Sequence, residues 1–358
     1  SSSYLPTDEA MRDGHGDDLH RYADIRANFS SNVTQLVDPS PLRQHLAKSI
    51  DRIGSYPEPT GKNLAELLAS YHGVSSSCYL ICNGATEAIY LVAQAWREHK
   101  HYFSPDPTFS EYQDAVRLYQ AEYEELEELI PSRLEAGSIY WLCSPNNPTG
   151  RSYPLEVLHT LWRSHPEVTF VLDNSYAHFS EAEQPDMAST IHSFPNVVFI
   201  TSLTKRYAMP GLRLGYLMGQ AHLIERLLPY RQPWSVGSLA LEAGKWVAQE
   251  HFPNLLDKAL LFSEVKRLKQ AIAKLPFFEV ESSDTHFFLV HCSHPRIKTG
   301  GELKELLAQR YHLLVRDATN FGYTEQATIR LATQAPWANN LLLEALQEIA
   351  SLPLTPAS

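Results

Sequence analysis

In "TSLTKRYAMPGLRLGYLMG" (201–219), Lys205 follows the apolar run "VVFI" and precedes Arg213 by eight positions. Lysine is among the residues least often buried without a partner, so an amine just past a buried strand either reaches water or is used. Other strand-like runs end in groups of comparable chemistry. "CYLICNGATEA" turns through Asn83-Gly84-Ala85-Thr86 into a helix. Free N–H groups, a glycine and a threonine hydroxyl can seat an anion there, although glycine turns before helices are also common as plain structure. "SPDPTFSEY" carries Phe109, an aromatic that packs in a core or stacks on a flat ring. "SPNNPTG" offers the amides of Asn146 and Asn147, and is equally a good turn. "VLDNSYAHF" places Asp173 at a strand end and Tyr176 three residues on. A carboxylate in that position needs a cationic or N–H partner, or caps a helix. Ser202, Lys205 and Arg213 complete the set.

The elements that must position these groups are short. "CYLIC", "HYF", "SIYWLC", "TFVLD", "VVFITS" and "LRLGYLMG" are runs of β-branched and aromatic residues, most ending in Ser, Pro, Asp or Asn. Amphipathic stretches such as "PLRQHLAKSIDRI", "NLAELLASYHG" and "PLEVLHTLWRSH" have helical spacing. Alternating helices and near-continuous apolar strands predict an α/β fold with a mostly parallel sheet covered on both faces. Ligands of such sheets bind beyond the strands' carboxyl ends. From about residue 253 the texture changes: one helix over 253–275, then "FFEV", "HFFLVHC", a helix from 301, "LLVR", "IRLAT" and a last helix from 336. The expected division is a large unit over 41–252, a smaller α+β unit over 253–358, and an N-terminal segment, 1–40, packed on the smaller unit.

The net charge of −11 argues against general nucleic-acid binding, which needs clustered Lys and Arg, but leaves local arginines for a small anion. Runs such as "FFLV" are too short to span a bilayer. No charged-then-apolar leader opens the chain, and the initial Ser-Ser-Ser, lacking Met, is expected to be a product of processing. Cys78, Cys82, Cys143 and Cys292 form no C-x-x-C, and three lie in strand-like runs; buried reduced thiols and a cytoplasmic location are expected. The sixteen histidines show no ligand spacing, so no metal is expected.

An anion seat, a stacking aromatic, an amide and a phenol, a carboxylate and a strand-end amine correspond group by group to pyridoxal 5'-phosphate. The ordered set G-A-T, P-x-F, N-P-T-G, D-x-x-Y, S-x-x-K and R-x-G resembles the class I/II aminotransferases, the fold-type-I pyridoxal-phosphate enzymes, and runs over most of the chain. That resemblance implies a seven-stranded, mostly parallel sheet between helices plus the small α+β unit. It implies that the Lys205 amine condenses with the cofactor aldehyde and later shuttles the substrate proton. Asp173 would face the pyridine nitrogen, Tyr176 and Asn147 the ring oxygen, and Phe109 the ring face. Gly84, Ala85, Thr86, Ser202 and Arg213 would hold the phosphate. "SYPEPTG" resembles the segment whose tyrosine, here Tyr56, reaches the neighbouring subunit's site, which implies a homodimer.

Arg330 in "TIRLAT" matches the family's substrate-carboxylate arginine, a planar fork suited to bidentate binding. Arg316 in "LLVRDATNFG" is an addition that resembles the subgroup acting on phosphorylated substrates, the histidinol-phosphate aminotransferases and threonine-phosphate decarboxylases. "DGHGDD", with His15 and Gly16, and "NFSSNV", with Ser31 and Asn32, lean toward the decarboxylases, whose corresponding segments contribute to phosphate recognition. Asp17 replaces an expected glycine, and "TQLVDPS" replaces the usual Asn-Pro-x-Gly-x-Pro. The implied function acts on a small phosphorylated amino acid or amine, leaning to decarboxylation, with transamination as the alternative. The bond that stands upright on the cofactor ring is the one cleaved, so the outcome depends on which substrate group the arginines grip. A non-catalytic cofactor-binding regulator would need a DNA-binding module, and no spare helix-turn-helix or basic segment is present. A dinucleotide oxidoreductase would need G-x-G-x-x-G after a strand, and none occurs.

Overall fold

The computed structural model describes residues 18–355. Apart from β1 (Ala27–Asn28), the first eight strands form one sheet: β2 (Tyr79–Cys82), β3 (His101–Phe103), β4 (Tyr123–Glu125), β5 (Ile139–Cys143), β6 (Thr169–Asp173), β7 (Val197–Ser202) and β8 (Gly215–Met218). Their order is β2-β8-β7-β6-β5-β3-β4; β8 runs antiparallel to both neighbours, and every other pair is parallel. Side-chain alternation explains the unbroken apolar runs. Tyr140, Leu142, Phe170 and Leu172 pack on one face, against α2 (Lys62–His72), α5 (Leu155–Ser164) and α8 (Ser238–Gln249). Ile139, Trp141, Val171 and Val198 pack on the other, against α3 (Gly84–Ala95), α4 (Glu111–Leu118) and α7 (Ala221–Leu227). Each such fully buried side chain contributes roughly 1.5–3 kcal/mol, which makes the sheet a rigid platform for the loops at its edge.

The second half builds a four-stranded antiparallel sheet in the order β12-β13-β10-β9: β9 (Phe278–Val280), β10 (Phe287–Cys292), β12 (Arg316–Asp317) and β13 (Ala327–Ala332). Its core joins α9 (Lys258–Ala273), α10 (Gly300–Tyr311) and α11 (Pro336–Ala350). The "LLVR" run is split. β11 (Leu313–Leu314) pairs in parallel with β1, and Arg316–Asp317 turn to pair with β13. Phe29 extends the N-terminal pairing, donating its N–H to Leu314 and accepting from Ala332.

Two helices are shorter than their periodicity predicts. α1 (Ser40–Lys48) gives way to a 3-10 turn over Ile50–Gly54, because the Ser49 hydroxyl bonds back to the His45 carbonyl at 2.9 Å. The helix expected from 253 begins at Lys258, where Asp257 caps it by accepting the Leu260 N–H at 3.1 Å. The residues 253–257 before it form no helix, and Leu256 bridges to Val37. No helix among the described residues is long and apolar enough to cross a membrane.

Candidate active site

One edge of the large sheet collects the reactive groups. Cys143 is paired with Asp173, and Gly215 is paired with both Ser202 and Cys82, so β2, β5, β6 and β7 end where β8 begins. Loops leaving this edge wall a cleft of about 250 Å³ that holds Phe109, Asn147, Tyr176, Lys205 and Arg330, with Ala85, Thr86, Ser202 and Arg213 at one end. The Lys205 Nζ lies 4.9 Å from the centre of the Tyr176 ring. A larger hollow, about 460 Å³, surrounds Tyr56 beside α8 and contains none of the strand-end groups.

Asp173 is buried, and three donors converge on it: the Tyr112 hydroxyl at 2.7 Å, the Ser175 hydroxyl at 2.7 Å and the Ser175 N–H at 3.0 Å. A carboxylate offers about four acceptor positions, so these three donors leave room for one more N–H donor. Burial, and then the charge of Asp173, push the Tyr112 phenol far above its ordinary range and keep it a donor. Tyr112 and Ser175 were not singled out in the sequence. Tyr112, on α4, lies three residues after Phe109 in the same "SPDPTFSEY" segment, and that nearness was the available signal.

Gly84 opens α3 with φ +76°, and a Cβ there would lie 2.7 Å from Nη2 of Arg213. Only glycine lets the guanidinium lie against the free N–H groups of the helix start. Arg213 itself has φ +59° and donates from Nη1 to the Pro210 carbonyl at 3.0 Å. The Ser202 and Thr204 hydroxyls are 2.9 Å apart at the same end. A helix N-terminus, two hydroxyls and a guanidinium form a cradle for a dianionic phosphate. Phe109 packs edge-on against Tyr112, ring centres 5.7 Å apart.

The opposite wall is cationic. Arg330 is 2% exposed, and its guanidinium bridges the Asn147 side-chain oxygen at 2.5 Å and the Ser30 carbonyl at 2.6 Å. Its Nε has no partner, and none of the described carboxylates is within ion-pair distance. Burial pushes this guanidinium down to about 9, which leaves it charged at neutral pH. Arg316, also buried, is its cross-strand partner and donates to Asn320 at 3.3 Å. As a directly opposed pair, the two guanidinium side chains leave the same face of the small sheet. Asn147 keeps its amide hydrogens for a ligand, whereas Asn146 is the turn residue, tied to the Pro107 carbonyl and to Thr108. Asn32, buried with φ +62°, donates to the Tyr176 hydroxyl at 3.2 Å, and its own carbonyl accepts from His286. Ser31 lines the cleft. Tyr56 does not: it is 87% exposed and packs against Trp234, ring centres 5.5 Å apart. His15 and Gly16 lie outside the described residues. Cys82, Cys143 and Cys292 are buried thiols, and Cys78 is half-buried.

The residues present fit pyridoxal phosphate in kind: a helix-start cradle could hold its phosphate, Asp173 its ring nitrogen, the Asn147 amide its oxygen and the Lys205 amine its aldehyde. Comparison with known proteins bears on the family and the cofactor. Residues 26–349 match the family model for aminotransferase class I and II. Threonine-phosphate decarboxylase of Salmonella typhimurium is 29% identical over 336 residues, covering 90% of each chain. Histidinol-phosphate aminotransferase of Desulfitobacterium hafniense is 29% identical over 340 residues, covering 90% of this chain and 91% of its own. The crystal structure of L-threonine-O-3-phosphate decarboxylase from Porphyromonas gingivalis superposes with a TM-score of 0.83 at 33% identity, over 91% of this chain and all of the other. The chain belongs to the class I and II aminotransferase family and is a pyridoxal-phosphate-dependent enzyme.

Proposed function

We propose that this enzyme acts on a small phosphorylated amino acid or amine, and that its reaction is loss of carbon dioxide from an O-phosphorylated amino acid such as O-phosphothreonine. The observation that carries this reading is the pairing of Arg316 with Arg330 on adjacent strands, both buried, with Arg330 lining the cleft. One guanidinium suffices for a carboxylate. Two in register suit a dianionic phosphate, or a phosphate and a carboxylate together. The decarboxylase names of the relatives support the same choice.

When bound, pyridoxal phosphate supplies an electron sink for the bond broken at the substrate Cα. The chain's own groups do the rest. Lys205 Nζ holds the cofactor and then moves the proton at Cα. Asp173, fixed by Tyr112 and Ser175, keeps a negative charge facing the ring nitrogen. Gly84, Ala85, Thr86, Ser202 and Arg213 seat the cofactor phosphate, while Asn147, Tyr176 and Phe109 orient the ring. Asn32, Ser31, Arg316 and Arg330 take the substrate, together with His15 and Gly16. If the arginines grip the substrate phosphate, its carboxylate is free to leave. If Arg330 grips the carboxylate instead, the C–H bond is broken and an amino group is transferred. That second reading is favoured by the histidinol-phosphate aminotransferase relatives of equal identity.

The active unit in this proposal is a cytoplasmic homodimer, in which Tyr56 serves the partner's site; its outward position on α8's side of the chain supports this. The proposed division into 41–252 and 253–358 is supported by the largely separate cores of the two sheets, joined by the smaller cluster around Tyr176, Phe179 and Phe287. Of the N-terminal segment, 1–40, proposed to pack on the smaller unit, Ala27 and Phe29 lie in that unit's core, and 1–17 lie outside the described residues. Measuring carbon dioxide release from O-phosphothreonine against 2-oxoglutarate-dependent amino transfer from histidinol phosphate tests the reaction. Turnover of neither substrate refutes the phosphorylated-substrate reading.

A further inference from the structure

The cofactor groups stand on the large sheet and the substrate arginines on the small one, so something must fix the distance between them. Asp284, in the segment leading into β10, touches the large sheet's loops through every polar atom it has. Its Oδ2 accepts the Ser152 N–H at 2.7 Å, and its Oδ1 accepts the Ser152 hydroxyl at 2.9 Å and the Ser180 hydroxyl at 2.6 Å. Its backbone N–H donates to the Gly150 carbonyl at 3.0 Å, and its carbonyl accepts from Glu181 at 2.9 Å. Ser283 adds a hydroxyl bond to the Gly150 carbonyl at 3.2 Å. The approach is close enough to demand glycine: a Cβ at Gly150, which has φ +71°, would sit 2.1 Å from the Ser283 Oγ and 2.4 Å from the Phe287 carbonyl.

This clasp lies between the two ends of one contact. Gly150 closes the turn that presents Asn147. β10 carries Leu289, the cross-strand neighbour of Arg330. Arg330 in turn reaches back to Asn147 at 2.5 Å. We propose that Asp284 is a positioning residue, one that sets the substrate arginine Arg330 against the cofactor-facing amide Asn147 without touching either ligand. The carboxylate accepts three hydrogen bonds from the large sheet's loops, so its removal frees the small sheet to shift while leaving Lys205, Asp173 and Arg213 in place.

The kinetic part of the test rests on the phosphorylated-substrate reading. In the holoenzyme, Asp284→Ala is expected to raise KM about tenfold or more for whichever of O-phosphothreonine and histidinol phosphate the wild type turns over. Cofactor affinity and absorbance stay at wild-type values. Asp284→Asn should restore KM to within about threefold, since its oxygen can face the Ser152 N–H and its amide can donate to the two hydroxyls. If Asp284→Ala does not fold, the Ser152→Ala, Ser180→Ala double variant carries the same test, with about a threefold rise. An unchanged KM, or parallel losses of cofactor and substrate affinity, overturns the proposal. Turnover of neither substrate by the wild type refutes only the phosphorylated-substrate reading. A crystal structure of Asp284→Ala then decides on Asp284: a broken Arg330–Asn147 contact supports its role, and an intact one refutes it.

Discussion

Replacing Gly84 by alanine separates two effects that glycine substitutions usually mix. The residue has φ +76°, where an alanine costs roughly 1–2 kcal/mol of folding free energy. Its new Cβ would also stand 2.7 Å from Nη2 of Arg213, about 0.7 Å inside the 3.4 Å at which ordinary contact begins. Arginine is flexible at that end, so the guanidinium gives way rather than the backbone. A displaced guanidinium loses a charge-assisted hydrogen bond to the cofactor phosphate worth roughly 1.5–3 kcal/mol, or about 10- to 100-fold in affinity. Gly73 provides the control: φ is +71°, and nothing lies within 4 Å of its would-be Cβ. Both Gly84→Ala and Gly73→Ala should lose similar stability in urea. Only Gly84→Ala should bind pyridoxal phosphate more weakly when the apoenzyme is titrated by absorbance. Equal cofactor affinity in the two variants would show that Arg213 does not hold the phosphate.

Borohydride reduction of the loaded enzyme should tag Lys205 alone, and a pyridoxyl group mapped to any other peptide removes it from its role. Asp173→Asn should lower kcat by two orders of magnitude or more while the cofactor still binds; Tyr112→Phe, which takes one buried donor from Asp173, should cost about tenfold, and kcat against cofactor affinity distinguishes both from simple loss of binding. Arg330→Lys cannot span the Asn147 oxygen and the Ser30 carbonyl together, so kcat/KM should fall roughly 10- to 100-fold, chiefly through KM. His286 and His101 are buried neutral rings that burial pushes down to about 4 from the ordinary 6.5. The unfolded chain takes up protons below pH 6.5 that the folded chain refuses until about pH 4. Stability is therefore full above pH 6.5 and falls on acidification through that window, by roughly 2 kcal/mol per ring at pH 5. Urea midpoints at pH 7.5 and pH 5 measure it, and equal midpoints exclude the neutral assignment.

What could be read from the sequence follows a physical division. The strands of the large sheet were legible because both faces are buried and the runs are apolar throughout; Asp173 and Lys205, at and just past two strand ends, stood out because an acid or an amine there is expensive to leave without a purpose. β8 could not be recognised as antiparallel, because nothing in "LRLGYLMG" encodes direction. Helix ends were misjudged where local side-chain bonds overruled periodicity, as at Ser49 and Asp257. Contacts made through the main chain left no trace: the Ser30 carbonyl on Arg330 and the Asn32 carbonyl on His286 depend on tertiary placement. Asp284 was invisible for a different reason, since an Asp after two serines reads as an ordinary turn until its partners, more than a hundred residues away, are known.

The reversal of β8 also governs the segment that carries Lys205. Ser202 and Gly215, paired across the sheet, staple the base of the excursion 203–214, so it leaves and re-enters the same edge as a ring closed by hydrogen bonds. A ligand anchored by the amine on one limb and by the guanidinium on the other adds a second cross-tie to that ring. Loading the enzyme should therefore shield this stretch from proteases, and stripping the cofactor should expose it, with the flanking strands unaffected.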